Sequence, residues 1–495
     1  MTERGAAWIA MALAVAVSLW NIIVASRGAQ TQRAHPAVRA LTALSGIMLV
    51  PAMIVAIADG SLLTARVTQQ IWWLWPAALA CATVQATWIG VRRLVSPMLA
   101  LPLAFWNALL LVVAVGRVLP DLGVVAPDWM MVAAASLSHA LASALGPIAL
   151  TSPLAIAPPL LASAAPSRWR PIAMVRVAAT ALAAAATTLV LVEVPNARLA
   201  LGSYARYGAE RLPDRPANDV LLGLRILPPV EHAPSPHALR LDLALADSME
   251  AEALLVEVTP FATAAALDSL ARTLESYRRD SVVLAIRVTG PPSVVGAGTV
   301  DQLMRRLRPD VLLFGSVARD DDALSDAALV EEYAQVAHRV LPRVRVGVIV
   351  SVTQEFRRSS SNWFDWARTR GKGLSIAAVE LGAGIGGAAD LDDEMAWLRQ
   401  RLALAPSDRA VWITSIATAP VAHGEAAQAL AWRGMLAVAM RTPGIRAVFA
   451  GPASDYEAMT GVRGASGRIR PVVHVLMDAS RRLREASEAA AATPR

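Results

Sequence analysis

The sequence predicts an α-helical membrane domain of about six transmembrane helices followed by an α/β domain, a (β/α)8 TIM barrel. Three observations predict it. Apolar segments long enough to cross a bilayer crowd the first 195 residues; from Asp219 onward, short β-branched runs alternate with helix-period segments; and a chain of 495 residues that is 55% hydrophobic is too apolar for a single soluble domain. The expected boundaries are a polytopic membrane domain over 1–195, a linker over 196–218, the barrel over 219–486 and a disordered tail over 487–495.

A spanning helix needs about 20 apolar residues. Segments of that length run over 6–25, 38–58, 71–91, 97–118, 130–150 and 172–194. The stretch 151–165 is also apolar, but Pro153, Pro158 and Pro159 make it a re-entrant or interfacial segment rather than a seventh crossing. The first span is longer than a signal-peptide core and more spans follow, so it is expected to be retained. Basic residues accumulate in cytoplasmic loops. Arg27, Arg33 and Arg39, then Arg92 and Arg93, then Arg168 and Arg170 mark alternate loops, whereas Asp59 with Arg66 and Asp121 with Asp128 occupy the others. That alternation puts the N-terminus and the barrel outside the cytoplasm, in a multi-pass protein of the inner or plasma membrane.

Polar residues within the spans are few: Asn21, Gln85, Asn107, His139 and Arg176. No carboxylate-rich or arginine-rich face marks an ion or proton pathway, so helix-to-helix hydrogen bonds and a snorkelling arginine are the expected roles. Trp72, Trp73 and Trp75 sit at a span end, where an aromatic belt belongs. Cys81 is the single cysteine, which excludes an internal disulfide and a cysteine-based metal site. The net charge of +7 comes almost wholly from arginine, Lys372 being the one lysine, and it carries no nucleic-acid inference.

The strands of the second domain are expected over 220–226, 253–258, 282–288, 311–314, 344–350, 375–380, 410–416 and 446–449, with helices between, among them 262–278, 326–341, 391–402, 423–440 and 470–486. These strands are apolar on both faces, as a closed parallel barrel under a ring of helices requires. In such a barrel the reactive groups belong on the loops at the C-terminal strand ends.

Val411-Trp412-Ile413-Thr414, a helix with Gln428, Pro443-Gly444-Ile445, Val448-Phe449, Asp455, Gly461-Val462 and the segment 467–473 together resemble the last two units of the retaining glycoside hydrolases with a (β/α)8 barrel. In that clan strand seven ends in Trp-(Ile/Val)-Thr-Glu with the glutamate as nucleophile, and strand four ends in Asn-Glu. The likeness covers 410–478 and extends to the rest of the barrel as topology. The departures are specific. Ser415 stands at the nucleophile position, and strand four runs into Phe314-Gly315-Ser316-Val317, so the resemblance implies a barrel without either catalytic glutamate. Retaining hydrolysis needs two carboxyl groups about 5–5.5 Å apart, and a serine without a neighbouring base stays protonated near neutral pH.

Other acidic groups near strand ends are candidates for a displaced pair: Glu231, Glu257, Asp320 to Asp322, Glu380 and Asp455. Glu380 leads, because it ends an apolar run before the flexible Gly382, Gly384, Gly386 and Gly387; its alternative is an interior ion pair with Arg287. Glu257 reads as an inward-facing structural group, and Asp320 to Asp322 as a solvated loop or helix cap. Glu380, Asp455 and Glu257 are thus the catalytic candidates, and Glu231, Arg287, Ser316, Ser415, Trp363 and Trp366 the substrate-binding ones. Trp363, Phe364 and Trp366 suit either sugar stacking or helix packing. Ser415, His423 and Asp455 have the residue types of a hydrolytic triad, but the sharp Gly-x-Ser-x-Gly turn is missing. His232 and His237 lie near Glu231 without a helical His-x-x-x-His pair, so no metal is expected, and the glycine run lacks the Lys-Ser/Thr of a phosphate loop. No cofactor is expected.

The function expected from these features is binding or sensing of a glycan, in envelope or exopolysaccharide handling, by a catalytically degenerate extracytoplasmic barrel. An active glycosidase or transglycosylase with relocated carboxylates is the first alternative, and a scaffold subunit of a membrane protein complex the second. The expected partners are a glycan or polysaccharide, the lipid bilayer and other membrane proteins, with no nucleic acid.

Overall fold

The computed structural model describes residues 16–17, 19–24, 36–57, 73–145, 157, 159–163, 170–213, 220–227, 236–277, 282–315, 323–352, 363–382, 387–404, 408–416, 418, 423–454, 460–464 and 467–492. The chain divides into two compact units, one built mainly from residues up to 201 and the other mainly from residues 202 onward.

The first unit is helical. Its described helices are α1 (Pro36–Ile57), α2 (Leu74–Val91), α3 (Pro97–Val118), α4 (Asp128–Leu145), α5 (Arg170–Val192) and α6 (Val194–Tyr204). Among the described residues, three helical stretches are long and apolar enough to cross a membrane: Leu74–Val91, Pro97–Val118 and Ala173–Val192. The expected spans over 6–25, 38–58, 71–91 and 130–150 each include residues outside the described set, as do the loops with Asp59, Arg66 and Arg168.

Pro159 to Ser163, the described core of the proline-containing stretch, is not helical, yet it is buried. Its backbone is held by side-chain amides. Asn107 donates Nδ2 to the Leu160 carbonyl at 2.9 Å and accepts the Leu160 N–H at 2.9 Å. Gln85 does the same for Ala162, at 2.6 and 3.1 Å. Asn21 donates to the Pro159 carbonyl at 2.8 Å and accepts the Leu161 N–H at 3.0 Å, while Trp20 Nε1 donates to the Leu161 carbonyl at 3.2 Å. A carboxamide carries one donor edge and one acceptor edge, so it can replace the neighbour that an extended residue would meet in a sheet. Such pairing is what lets non-helical backbone persist in apolar surroundings. Sequence reading expected these amides to bridge helix to helix; only Gln85, through Thr42 Oγ1 at 3.1 Å, does so as well.

The second unit is a closed parallel barrel with strands in sequential order: β1 (Leu221–Ile226), β2 (Ala253–Val258), β3 (Val283–Val288), β4 (Val311–Phe314), β5 (Arg345–Ser351), β6 (Ile376–Leu381), β7 (Ala410–Ile416) and β8 (Ile445–Ala450). Its helices are α7 (Pro236–Ser248), α8 (Ala264–Glu275), α9 (Ala297–Leu307), α10 (Ala323–Val340), α11 (Trp363–Thr369), α12 (Ala388–Leu404), α13 (Glu425–Arg441) and α14 (Val472–Ala492). The expected strands agree with these to within one residue at each end, because parallel strands buried on both faces are continuous apolar runs. The segment entering the barrel is fastened to α12: Tyr207 donates to Asp392 at 2.5 Å, and Ser203 Oγ accepts the Ala388 N–H at 3.0 Å.

Side chains fill the barrel interior in layers. Leu255, Ala285, Leu313, Ile349, Ala378, Trp412 and Phe449 form its apolar part, with the Trp412 and Phe449 rings 5.4 Å apart. The size of Phe449 dictates a glycine opposite it. A β-carbon at Gly223 would lie 2.4 Å from the Phe449 ring and 2.9 Å from the Ala253 carbonyl oxygen.

Two outcomes follow. Gly223→Ala is expected to destabilise the barrel by about 1–3 kcal/mol through overpacking, and Phe449→Leu in the same chain to recover part of that loss, read by thermal unfolding. Asn107→Leu strips two buried backbone groups of their partners and is expected to lower stability in detergent by about 2–4 kcal/mol; an unchanged melting temperature would show that the clamp contributes nothing.

Candidate functional site

Four strands carry a charge one residue before their last position. Arg225 stands in β1, Glu257 in β2, Arg287 in β3 and Glu380 in β6. Strand alternation turns all four into the interior near the C-terminal mouth, where Glu257 and Arg287 are register partners and ion pairs join the others to them. This is the end of the barrel where such folds place their chemistry.

The four side chains form a ring of alternating charge. Arg225 donates Nε to Glu257 Oε1 at 2.7 Å, and its Nη2 lies 2.6 Å from the same oxygen and 3.0 Å from Glu380 Oε1. Arg287 donates Nη1 to Glu257 Oε1 at 2.9 Å and also to Glu380 Oε1. Each carboxylate therefore meets both arginines, and each arginine both carboxylates, so the formal charges cancel. The Glu257 and Glu380 side chains are 8% and 23% exposed. Burial alone would raise the Glu380 pKa, but Arg287 and Arg225 outweigh it and hold the group down at about 2. Burial likewise disfavours the Arg287 charge, and the two glutamates outweigh that and raise its pKa.

Ser415 becomes a register partner of Glu380 through an irregularity. The β6–β7 register runs Ala378 to Trp412 and Val379 to Ile413, then shifts so that Glu380 pairs with Ser415. One extra residue on β7, Thr414, is accommodated there, and its hydroxyl donates to the Val379 carbonyl at 3.1 Å. On the other side of Glu380, Ser351 of β5 is its register partner. The mouth thus presents two hydroxyl-bearing positions beside a neutralised ionic ring.

This geometry limits the chemistry of the described groups. A general acid must hold a proton at working pH, and Glu380 is ionised there. A retaining nucleophile must approach the sugar carbon, whereas Oε1 of both Glu257 and Glu380 is already engaged by two arginines. The ion pair between Glu380 and Arg287, the alternative weighed from sequence, is present, and Glu257 is bonded to the same arginine. Trp363 is a 9% exposed member of the core, edge-to-face with Trp366, which is partly buried, at 5.0 Å. Glu231, His232, Ser316, Asp320 to Asp322 and Asp455 lie outside the described residues, and with Asp455 goes any placement of the Ser415, His423 and Asp455 set. Among the described residues, no group of three or more His, Cys, Asp and Glu is arranged to hold a metal ion.

Arg225 was not singled out from sequence. The signal was there: Leu-Arg225-Ile, Val-Glu257-Val, Ile-Arg287-Val and Val-Glu380-Leu repeat one charge at one offset from a strand end. Ser351, the last residue of β5, carries no such mark.

No family model matches the sequence, and no curated protein matches it. Among solved structures, the β-D-glucuronidase of Dictyoglomus thermophilum aligns at 11% identity over 52% of this chain and 50% of its own, with a TM-score of 0.37. A β-glucuronidase of Bacteroides uniformis aligns at 12% identity over 54% of this chain and 36% of its own, TM-score 0.38. TrpF from Jonesia denitrificans aligns at 15% identity over 54% of this chain and 99% of its own, TM-score 0.31. The chain spans about half the length of the Dictyoglomus enzyme.

The depressed Glu380 pKa has a directional consequence. A carboxylate bound more tightly to its proton when unfolded stabilises the fold fully above its ordinary value of 4.5 and progressively less as the pH falls toward about 2. The barrel is expected to lose stability across that window, and Glu380→Gln to flatten the loss while lowering stability near neutral pH by about 3 kcal/mol, since both arginines lose a partner. Denaturant titrations of the two chains between pH 2 and 7 read both effects; parallel pH profiles would contradict them.

Proposed function

We propose that the protein is a multi-pass membrane protein whose extracytoplasmic barrel binds or senses a glycan without hydrolysing it. The observation that carries this reading is the charge ring at the barrel mouth. It occupies the layer where a barrel glycosidase keeps its acid and nucleophile, and it neutralises both carboxylates with arginines. The Trp412-Ile413-Thr414-Ser415 motif adds to it, with a serine where the resembled clan has glutamate. A neutral polar mouth suits a ligand rich in hydroxyl groups, because ionised side chains pre-oriented by their partners make strong hydrogen bonds to hydroxyls without having to be desolvated afresh.

The three membrane-length helices support anchoring. The further spans, for a total of about six, and the orientation follow from the loop arginines, which put the barrel on the side where envelope polysaccharides are handled. An active glycosidase using Glu380 or Glu257 is the competing reading; against it stands the engagement of both carboxylates by Arg225 and Arg287.

The test is a panel of polysaccharides presented to the detergent-solubilised full chain, with binding and reducing-end release measured on the same samples. Binding without release is expected, and Arg287→Met is expected to weaken binding about tenfold, in proportion to one lost charge-assisted contact. Release abolished by Glu380→Gln would establish the enzyme instead. Neither binding nor release would overturn the glycan reading in favour of a scaffold.

A further inference from the structure

The turn joining α2 to α3 ends the first helix with an arginine in an unusual backbone conformation. Arg93 has φ = 52°, the left-handed region, and the turn closes through the Leu94 N–H to the Ile89 carbonyl and the Arg93 N–H to the Gly90 carbonyl, each 3.1 Å. This is the helix-ending motif in which glycine is the favoured residue, since it bears no β-carbon penalty there. An arginine is held where a glycine would be easier. Its neighbour Arg92 places its guanidinium 5.4 Å from the Trp88 ring centroid, and both arginines are exposed.

The helix that this turn leads into carries an apolar stripe. Met98, Leu101 and Phe105 stand three and four residues apart on α3, hence on one face, and are 84%, 51% and 68% exposed. No carboxylate competes for the arginines among the described residues of this unit: Asp121 follows the far end of α3, Asp128 opens α4, and Glu193 follows the C-terminal end of α5. Arg176 adds a buried cation near the same end, one helical turn from Thr180, whose hydroxyl donates to the Leu99 carbonyl at 3.0 Å. Two exposed cations on the turn that opens a helix with an exposed apolar stripe are complementary to one kind of molecule, an amphiphile with an anionic head and an acyl tail.

We infer that the α2–α3 turn is a binding site for an anionic phospholipid, its phosphate between Arg92 and Arg93 and its acyl chain along Met98, Leu101 and Phe105. The site rests on the membrane reading above and names the lipid class that the bilayer must supply. Trp88 pre-orients one guanidinium, so less side-chain freedom is lost on binding.

The test titrates phosphatidylglycerol into the full chain in neutral detergent and follows the melting temperature, which rises as a ligand fills a site on the folded state. Phosphatidylcholine and inorganic phosphate are titrated in parallel. Phosphatidylglycerol alone is expected to raise the melting temperature. Arg93→Gly keeps the backbone conformation while deleting one charge, so it is expected to melt no lower than the parent without lipid, yet to need about fivefold more phosphatidylglycerol for the same rise; R92Q/R93G should need about thirtyfold more. An equal response of parent and double variant, or an equal response to phosphatidylcholine or to inorganic phosphate, would overturn the site. Alkaline carbonate washing of native membranes separates the two readings: release of the chain defeats the membrane reading, whereas retention with no selective lipid response defeats the site alone.

Discussion

A polar group withdrawn from water must find a partner, and this constraint shapes both units in different chemical terms. In the helical unit the problem is an extended segment with proline, which cannot satisfy its own backbone as a helix would. Asn21, Gln85 and Asn107 answer it, each offering a donor and an acceptor to the backbone between Pro159 and Ala162. In the barrel the problem is ionic. Four charges point into a closed interior, and they are tolerated because they arrive as two of each sign, mutually bonded.

The ring joins charges from four strands in one bonded network. The same two arginines contact both glutamates. The apolar layers beneath depend only on volume: Phe449 and Trp412 fill the lumen, and Gly223 and Gly347 yield space to Phe449 and to Leu313 and Ile376. Packing and charge are separable there.

The helical unit divides its polar groups by role in a comparable way. The amides turn inward to a segment of the chain itself, whereas Arg92 and Arg93 sit on an exposed turn before a helix with exposed apolar side chains. Inward polarity holds the unit together; outward polarity faces whatever surrounds it.

From sequence alone, the eight strands were legible to within a residue, since continuous β-branched runs between helix-period segments have one parallel, closed solution. Ser415 at the end of β7 was legible too, as a departure from a motif. The charge ring was legible only in part: Glu380 and Arg287 were marked as a possible pair, but Arg225 and the sharing of both carboxylates by both arginines depend on barrel closure, which brings β1 and β6 to face each other across the lumen. The destination of Asn21, Gln85 and Asn107 lay beyond sequence for the same reason. Periodicity locates a residue on a helix, whereas its partner lies 53 to 140 positions away along the chain. Local pattern determined the elements, and long-range closure decided which polar groups meet.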